Sequence, residues 1–391
     1  MAFVIGLSAG ATVLVGQAWG AKNVEKVRCV VGSTLFMTLI GGTIIALLGV
    51  LFAEHILLAL GTDPDVMHLS LPYVQWMLAG SPLLFIYIIY TSILRGVGDS
   101  TTPLIASGMT ILIGVFITPV LIAGYFGFPK MGIVAPAIAT IVGYLAVLIF
   151  LAVYLNKKDH PLKPDRHLLS HIRHQPELSK IILRLGIPTG VQMVTTSVAG
   201  LVIVGLVNRY GSHATAAYGA VNQVLNYIQF PALSISIAAS IFAAQAIGAG
   251  KSELLNKVTR TALGMNILIT GGLVALAYLF SKYLMALFIT DPTVVVLGQQ
   301  LLFIVLWSII FFGASAIFAS IMRASGTVTI PMIINIVAII GIEVPCAYLF
   351  SQWWGLQGIW YAYALAFVCL CILQGLYYQF VWKKKTVTAL I

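Results

Sequence analysis

The sequence predicts an all-α integral membrane protein made of two parallel-repeat helical lobes, and three observations carry that prediction. First, apolar runs of about 20 residues recur along the whole 391-residue chain, which is 60% hydrophobic and 8% charged. A hydrocarbon core roughly 30 Å thick needs about 20 apolar residues per helix, and a spanning segment must satisfy its own backbone hydrogen bonds. So few charges could not cover the surface of two or three soluble domains. Second, a shift of 228 positions lays the first half over the second, punctuation on punctuation, for about a hundred residues. Such self-similarity is the mark of a duplicated unit. Third, the formal charge of +10 is sorted rather than spread: of 21 Lys and Arg, 18 fall in alternate turns on one side of the spans and 3 on the other.

The elements follow in order. Spans are expected at 1–20, 30–52, 68–94, 103–125 and 133–155, and then at 184–208, 215–247, 259–280, 295–322, 330–350 and 357–382. Their boundaries fall on residues the two halves share. Gln17-Ala18 and Gly20-Ala21 meet Gln245-Ala246 and Gly248-Ala249, Glu25 meets Glu253, and Thr62-Asp63-Pro64 meets Thr290-Asp291-Pro292. Arg95, Gly98 and Pro103 meet Arg323, Gly326 and Pro331; beyond them the register slips by two, so that Pro119 faces Pro345 and Gly132 faces Gly358. The opening run to Ala21 has no positive n-region and aligns with a span of the second half, so it is not a signal peptide. Met1 aligns with Gln229, inside the second span of the later half, and the first half is therefore expected to lack its first helix.

The chain then divides into a first lobe at 1–156 with about five spans, a basic linker at 157–183, a second lobe at 184–382 with six, and a tail at 383–391. Six spans per complete unit, an even number, give both units the same orientation, the parallel-repeat arrangement in which a substrate site lies between two bundles. The basic side carries Lys22, Lys26, Arg28, Arg95, the linker, Lys251, Lys257, Arg260, Arg323 and Lys383 to Lys385, against Lys130, Arg209 and Lys282 opposite. The positive-inside rule puts that side, and with it the C-terminus, in the cytoplasm of a cell whose inner membrane the protein crosses many times. This sorting also argues against nucleic acid as the reason for the charge. The run from Lys157 to Arg184, with seven basic residues, four histidines and three prolines, reads as a solvated connector.

On these motifs the chain resembles the multidrug and toxic compound extrusion (MATE) family of transporters. They are Gln-Ala-x-Gly-Ala at 17–21 and 245–249, the Asp-Pro turns at 63 and 291, Arg-Gly-x-Gly-Asp-x-x-x-Pro at 95–103 with its echo Arg-Ala-Ser-Gly at 323–326, and Gly186-Ile187-Pro188. The resemblance covers nearly all of the chain and implies a twelve-helix fold in its complete form. It also implies export of organic cations and amphiphilic drugs in exchange for H⁺ or Na⁺, with no other cofactor. The family's acidic positions are not reproduced. Gly114 and Thr118 stand where the fifth helix often has Asn and Asp, and Thr196 and Phe312 stand where other members carry Glu and Asp.

Glu343 is the one acidic residue well inside an apolar run. Counted from Pro331 at ~1.5 Å per residue, it lies about 18 Å into its span, near the middle of the bilayer. Burying a carboxylate there costs at least a few kcal/mol, which makes it a candidate for coupling to the ion; the structural alternative is a protonated side chain bonded to a neighbouring helix. Candidate substrate-cavity residues are Gln192, Thr195, Thr196, Asn222, Asn226, Gln229 and Tyr361. Asn222, Asn226 and Gln229 are spaced i, i+4, i+7 and share one helix face before Pro231. Uncharged amides suit a wet cavity for varied cations, although they could equally be hydrogen bonds between helices. Tyr218, Tyr227 and Tyr363, like Tyr361, could offer cation–π faces or simply pack. Arg95 and Arg323, at equivalent helix ends, are candidate cytoplasmic gates or plain positive-inside anchors.

Enzymatic chemistry finds no support: there is no His-Glu-x-x-His, no phosphate-cradling glycine loop and no serine, histidine and carboxylate able to meet in the membrane. Cys29, Cys346, Cys369 and Cys371 show neither metal nor disulfide spacing and are expected to pack as small apolar residues, so no metal is assigned. The expected partners are small organic cations and the lipid bilayer, not nucleic acid, and the expected state is a monomer. Two alternatives stay open: a flippase for an anionic lipid-linked precursor, and a non-transporting truncated remnant or interaction protein.

Overall fold

A computed structural model describes residues 1–391, and all the regular structure is helical. Ten helices are long and apolar enough to cross a membrane, or eleven if one bent pair counts as a span. The chain forms two compact units that divide inside one helix, between Gly186 and Ile187.

The first unit holds α1 (Ala2–Gly20), α2 (Val24–Ala59), α3 (Pro64–Ala79), α4 (Ser81–Gly96), α5 (Thr101–Ala123), α6 (Ala135–Lys157), the short α7 (Arg166–Ser170) and the start of α8 (Pro176–Val207). Of its spans α1 is the most enclosed, with Val4, Ala11, Leu14 and Val15 fully buried. It approaches its neighbours through residues without side chains. A Cβ on Gly6 would lie 2.6 Å from the Gly186 carbonyl oxygen, and one on Gly10 would lie 2.7 Å from that of Ile182. By contrast α5 exposes Ile111, Leu112, Val115 and Phe116, apolar side chains that belong in lipid rather than water.

The second unit contains the rest of α8, then α9 (Ser212–Gly248), α10 (Leu254–Leu279), α11 (Ser281–Ala286), α12 (Pro292–Val305), α13 (Ile309–Ala324), α14 (Thr329–Ile336), α15 (Val344–Trp354) and α16 (Leu356–Phe380). The core packs α9 against α10, α12 and α13, with α16 behind α13. Val221, Leu302, Leu306, Ile309 and Trp360 lie at its centre with no exposure.

The duplicated punctuation has a structural cause in each unit. Asp63 and Asp291 are N-caps whose carboxylates accept the N–H of Asp65 and Thr293, each followed by a proline in the first turn, where a missing N–H costs nothing. Arg95 and Arg323 end α4 and α13, and beyond them Gly98 (φ 91°) and Gly326 (φ 86°) take the left-handed conformation that glycine adopts freely.

The expected span at 68–94 is broken: α3 and α4 meet at 43°, at Gly80 and Pro82. Proline withdraws an N–H from the helix ladder, and Gly80 lets Ile141 of α6 come so near that a Cβ would lie 2.4 Å from its side chain. The corresponding later stretch is one span, Pro292–Ala324, with only a single 3₁₀ turn at Leu306–Ser308. The linker also departs from expectation. It is packed onto the first unit rather than solvated, with Leu162 and Leu168 buried and the Tyr90 hydroxyl donating to the Leu162 carbonyl.

Candidate functional site

In the second unit, α14 gives way at Val337 to seven residues of π-helix, Val337–Glu343, before α15 resumes α-helical winding. Wider winding of this kind is rare and recurs at functional sites. Here Gly341 tolerates it, and Pro345, lacking an N–H, follows directly. Glu343 closes the π stretch and is 7% exposed.

The π stretch that Glu343 closes packs against α16, the helix that carries Tyr363. The Tyr363 hydroxyl lies 3.1 Å from that of Tyr218 on α9, and Trp360 packs against both rings, with centroids 5.4 and 5.5 Å away. Tyr218 stands four residues before Asn222, so it continues the face of Asn222, Asn226 and Gln229. Asn222 and Gln229 are half-buried and Asn226 is exposed, while Val221, Val224, Leu225 and Ile228 on the other side of the helix fill the core. The unit thus holds an open amide face and a tyrosine pair on α9 and α16, with one buried carboxyl on the stretch packed against α16. The chemistry open to that carboxyl is to take up and release one cation or proton.

The remaining candidates lie apart from these groups. On α8, Gln192 and Thr195 are half-buried and Thr196 is exposed, its hydroxyl donating to the Gln192 carbonyl. Tyr361 is 43% exposed and makes an edge contact with Trp354 at 5.7 Å. In the first unit the Arg95 guanidinium donates to the Ser92 hydroxyl at 2.8 Å, an anchoring contact rather than an ion pair. Arg323 is half-buried in the last turn of α13. An apolar pocket of about 410 Å³ opens between α9, α10 and α11, lined by Tyr227, Leu276, Phe280 and Phe288, and Glu343 is not among its walls.

Sequence reading singles out Glu343 and the amide face but not the pairing of the two tyrosines. The Tyr218–Tyr363 bond joins residues 145 apart, and only α9 packing within this unit brings them together. The π stretch lies between Pro331 and Pro345, the interval in which the repeat slips by two.

The MatE family model matches residues 1–120 and 188–349. The chain is 44% identical over 394 residues to a protein of Bacillus subtilis (strain 168) described as probable multidrug resistance protein YoeA, covering all of this chain and 85% of that one. It is 29% identical over 388 residues to probable multidrug resistance protein YpnP of the same organism, covering 98% and 84%. Among solved structures, a mutant of the Vibrio cholerae MATE transporter VcmN superposes with a TM-score of 0.88 at 20% identity, over 99% of this chain and 86% of that one.

Proposed function

The chain belongs to the MatE family of multidrug efflux transporters, and from that premise we propose that it exports amphiphilic, cationic small molecules in antiport with H⁺ or Na⁺ by alternating access. The observation that supports this most is the presence in one unit of the open amide face of α9 and the buried carboxyl of Glu343. A cation needs a site that is polar without being a deep electrostatic trap, and an antiporter needs one group whose charge state differs between the two half-cycles. Asn222, Asn226 and Gln229 supply the first and Glu343 the second; Gln192, Thr195, Thr196 and Tyr361 are the further cavity candidates. The sorting of 18 basic residues against 3 supports an inner-membrane orientation with the C-terminus in the cytoplasm, Arg95 and Arg323 lying on that side. The substrate partner is a small organic cation within the bilayer setting, handled by a monomer.

The test is efflux of a fluorescent organic cation from proteoliposomes, driven in turn by a pH gradient and a Na⁺ gradient. The proposal expects gradient-driven efflux from the parent chain and its loss in Glu343→Gln, with substrate binding retained. Efflux unaltered by that substitution would remove Glu343 from coupling, and no efflux under either gradient would favour the flippase or remnant alternatives.

A further inference from the structure

A second cluster lies in the first unit, far along the sequence from Glu343, where the linker returns to α2. The first turns of α2 present Glu25 and Cys29, spaced i and i+4 and so on one face. The residue after α7, His171, crosses that face, and the donor atoms of Glu25, Cys29 and His171 all lie within 4.8 Å of one another. We propose that Glu25, Cys29 and His171 form a three-ligand site for a zinc-class divalent transition metal, which fastens the linker to α2.

The hydrogen bonds fix the two imidazoles in different states. His171 Nδ1 is 2.7 Å from the His167 carbonyl oxygen, an acceptor only, so Nδ1 carries the proton. That leaves Nε2 facing Glu25 Oε1 at 2.9 Å. Two acceptors do not face each other without positive charge between them: the contact calls for a second proton on the ring or for a cation in its place. The neighbouring guanidinium of Arg28 is engaged elsewhere, 2.7 Å from His167 Nδ1, 3.1 Å from the Pro161 carbonyl and 3.7 Å from Asp165. Because a guanidinium only donates, His167 Nδ1 accepts and its Nε2 bears the hydrogen, directed at Glu25 Oε2 from 3.9 Å.

This is the arrangement metal sites use. A ligating histidine donates its other ring N–H to a backbone carbonyl, as His171 Nδ1 does to His167. The third donor separates the two readings, since a thiol adds nothing to an imidazolium–carboxylate pair but completes a sulfur, nitrogen and oxygen set. Such a set suits zinc-class metals and disfavours Mg²⁺ or Ca²⁺. Three protein ligands leave a fourth position for water. Tetrahedral ligands about 2.0–2.3 Å from the metal stand roughly 3.5 Å apart, so closure needs about an ångström of movement. Glu25, 60% exposed, can supply it.

The backbone already makes this approach: a Cβ on Gly32, one turn beyond Cys29, would lie 2.2 Å from the His171 carbonyl oxygen, so the linker rests directly on α2.

The test titrates the full chain in detergent with Co²⁺ and then displaces it with Zn²⁺. Expected are one equivalent of Co²⁺, a near-ultraviolet thiolate-to-cobalt charge-transfer band, and its loss in Cys29→Ser, which leaves Cys346, Cys369 and Cys371 in place. His171→Ala, which removes the nitrogen ligand, should weaken binding by more than ~10-fold. Zn²⁺ should raise the unfolding temperature of the parent chain but not of Cys29→Ser. No band with the parent chain at one equivalent, or a band that survives Cys29→Ser, overturns the proposal and leaves a His171–Glu25 ion pair. The parent titration decides the matter even if a variant folds poorly.

Discussion

Tyr363 is hydrogen-bonded to Tyr218 and stands on α16, the helix against which the π stretch ending at Glu343 packs. Tyr363→Phe keeps the ring packed against Trp360 and removes only the hydroxyl. A lost interhelical hydrogen bond in a membrane protein is worth about 1 kcal/mol or less, so thermal unfolding should move little. Coupled efflux should change more: the pH at which it is half-maximal should shift from that of the parent chain, because the helix packed against the carboxyl's stretch has lost a hydroxyl. An unshifted pH profile would show that the two tyrosines only pack. At this scale the sequence was legible for Glu343, since a lone acid in an apolar run stands out. It named Tyr363 only as one of four tyrosines that could offer a cation–π face, because nothing local marks which of them meets a partner 145 residues away.

Among elements, α1 and α8 cross backbone to backbone at Gly6 and Gly186 in the first unit. Glycines four apart at Gly6 and Gly10 are a close-packing pattern in a membrane helix that does not say against which helix; Gly186 belongs to the Gly-Ile-Pro motif at 186–188. Gly6→Ala would force a methyl against backbone that has no side chain to swing aside. It should destabilise the protein by about 1–3 kcal/mol, read from its unfolding temperature in detergent. A second prediction concerns the loop from α4 to α5 and the linker beside it. His160 is held below the usual histidine range by burial, with the Asp99 carboxylate 3.8 Å away acting against that. For Asp99 burial acts upward, but it is outweighed by the N–H and hydroxyl of Thr102 at 3.0 and 2.6 Å, aided by the charges of His160 and Lys158, and its carboxyl ends below the usual range. Both groups thus bind protons less readily folded than unfolded, and stability rises with pH across their windows. The contribution of His160 is complete above its ordinary value of about 6.5 and fades below it; that of Asp99 is complete above about 3.9 and is lost as pH falls through its own lowered value. The unfolding temperature should therefore drop as pH is lowered from about 7, and His160→Gln should flatten the upper part of that fall.

For the molecule as a whole, the linker is the main revision. Seven basic residues and three prolines read as solvated chain, because composition describes the average residue and two leucines decide the packing. With Leu162 and Leu168 buried, Leu168→Ala should cost about 2–5 kcal/mol and should speed trypsin cleavage after the exposed Arg166 beside it, relative to the parent chain. The duplication was legible throughout, since caps and turns are local and survive as residue identities. What the repeat hid is an asymmetry. Pro103 to Pro119 lies in the regular helix α5, whereas Pro331 to Pro345, two residues shorter, contains the π stretch, and Ile117 stands where the second copy has Glu343. Two copies of the fold thus hold one carboxyl of this kind. In the proposed cycle one ion enters as one singly charged substrate leaves, so a turnover moves no net charge. The membrane voltage, worth about 2.3 kcal/mol per charge at 100 mV, then neither drives nor opposes export. A cell with its potential intact but its ion gradient collapsed would stop pumping.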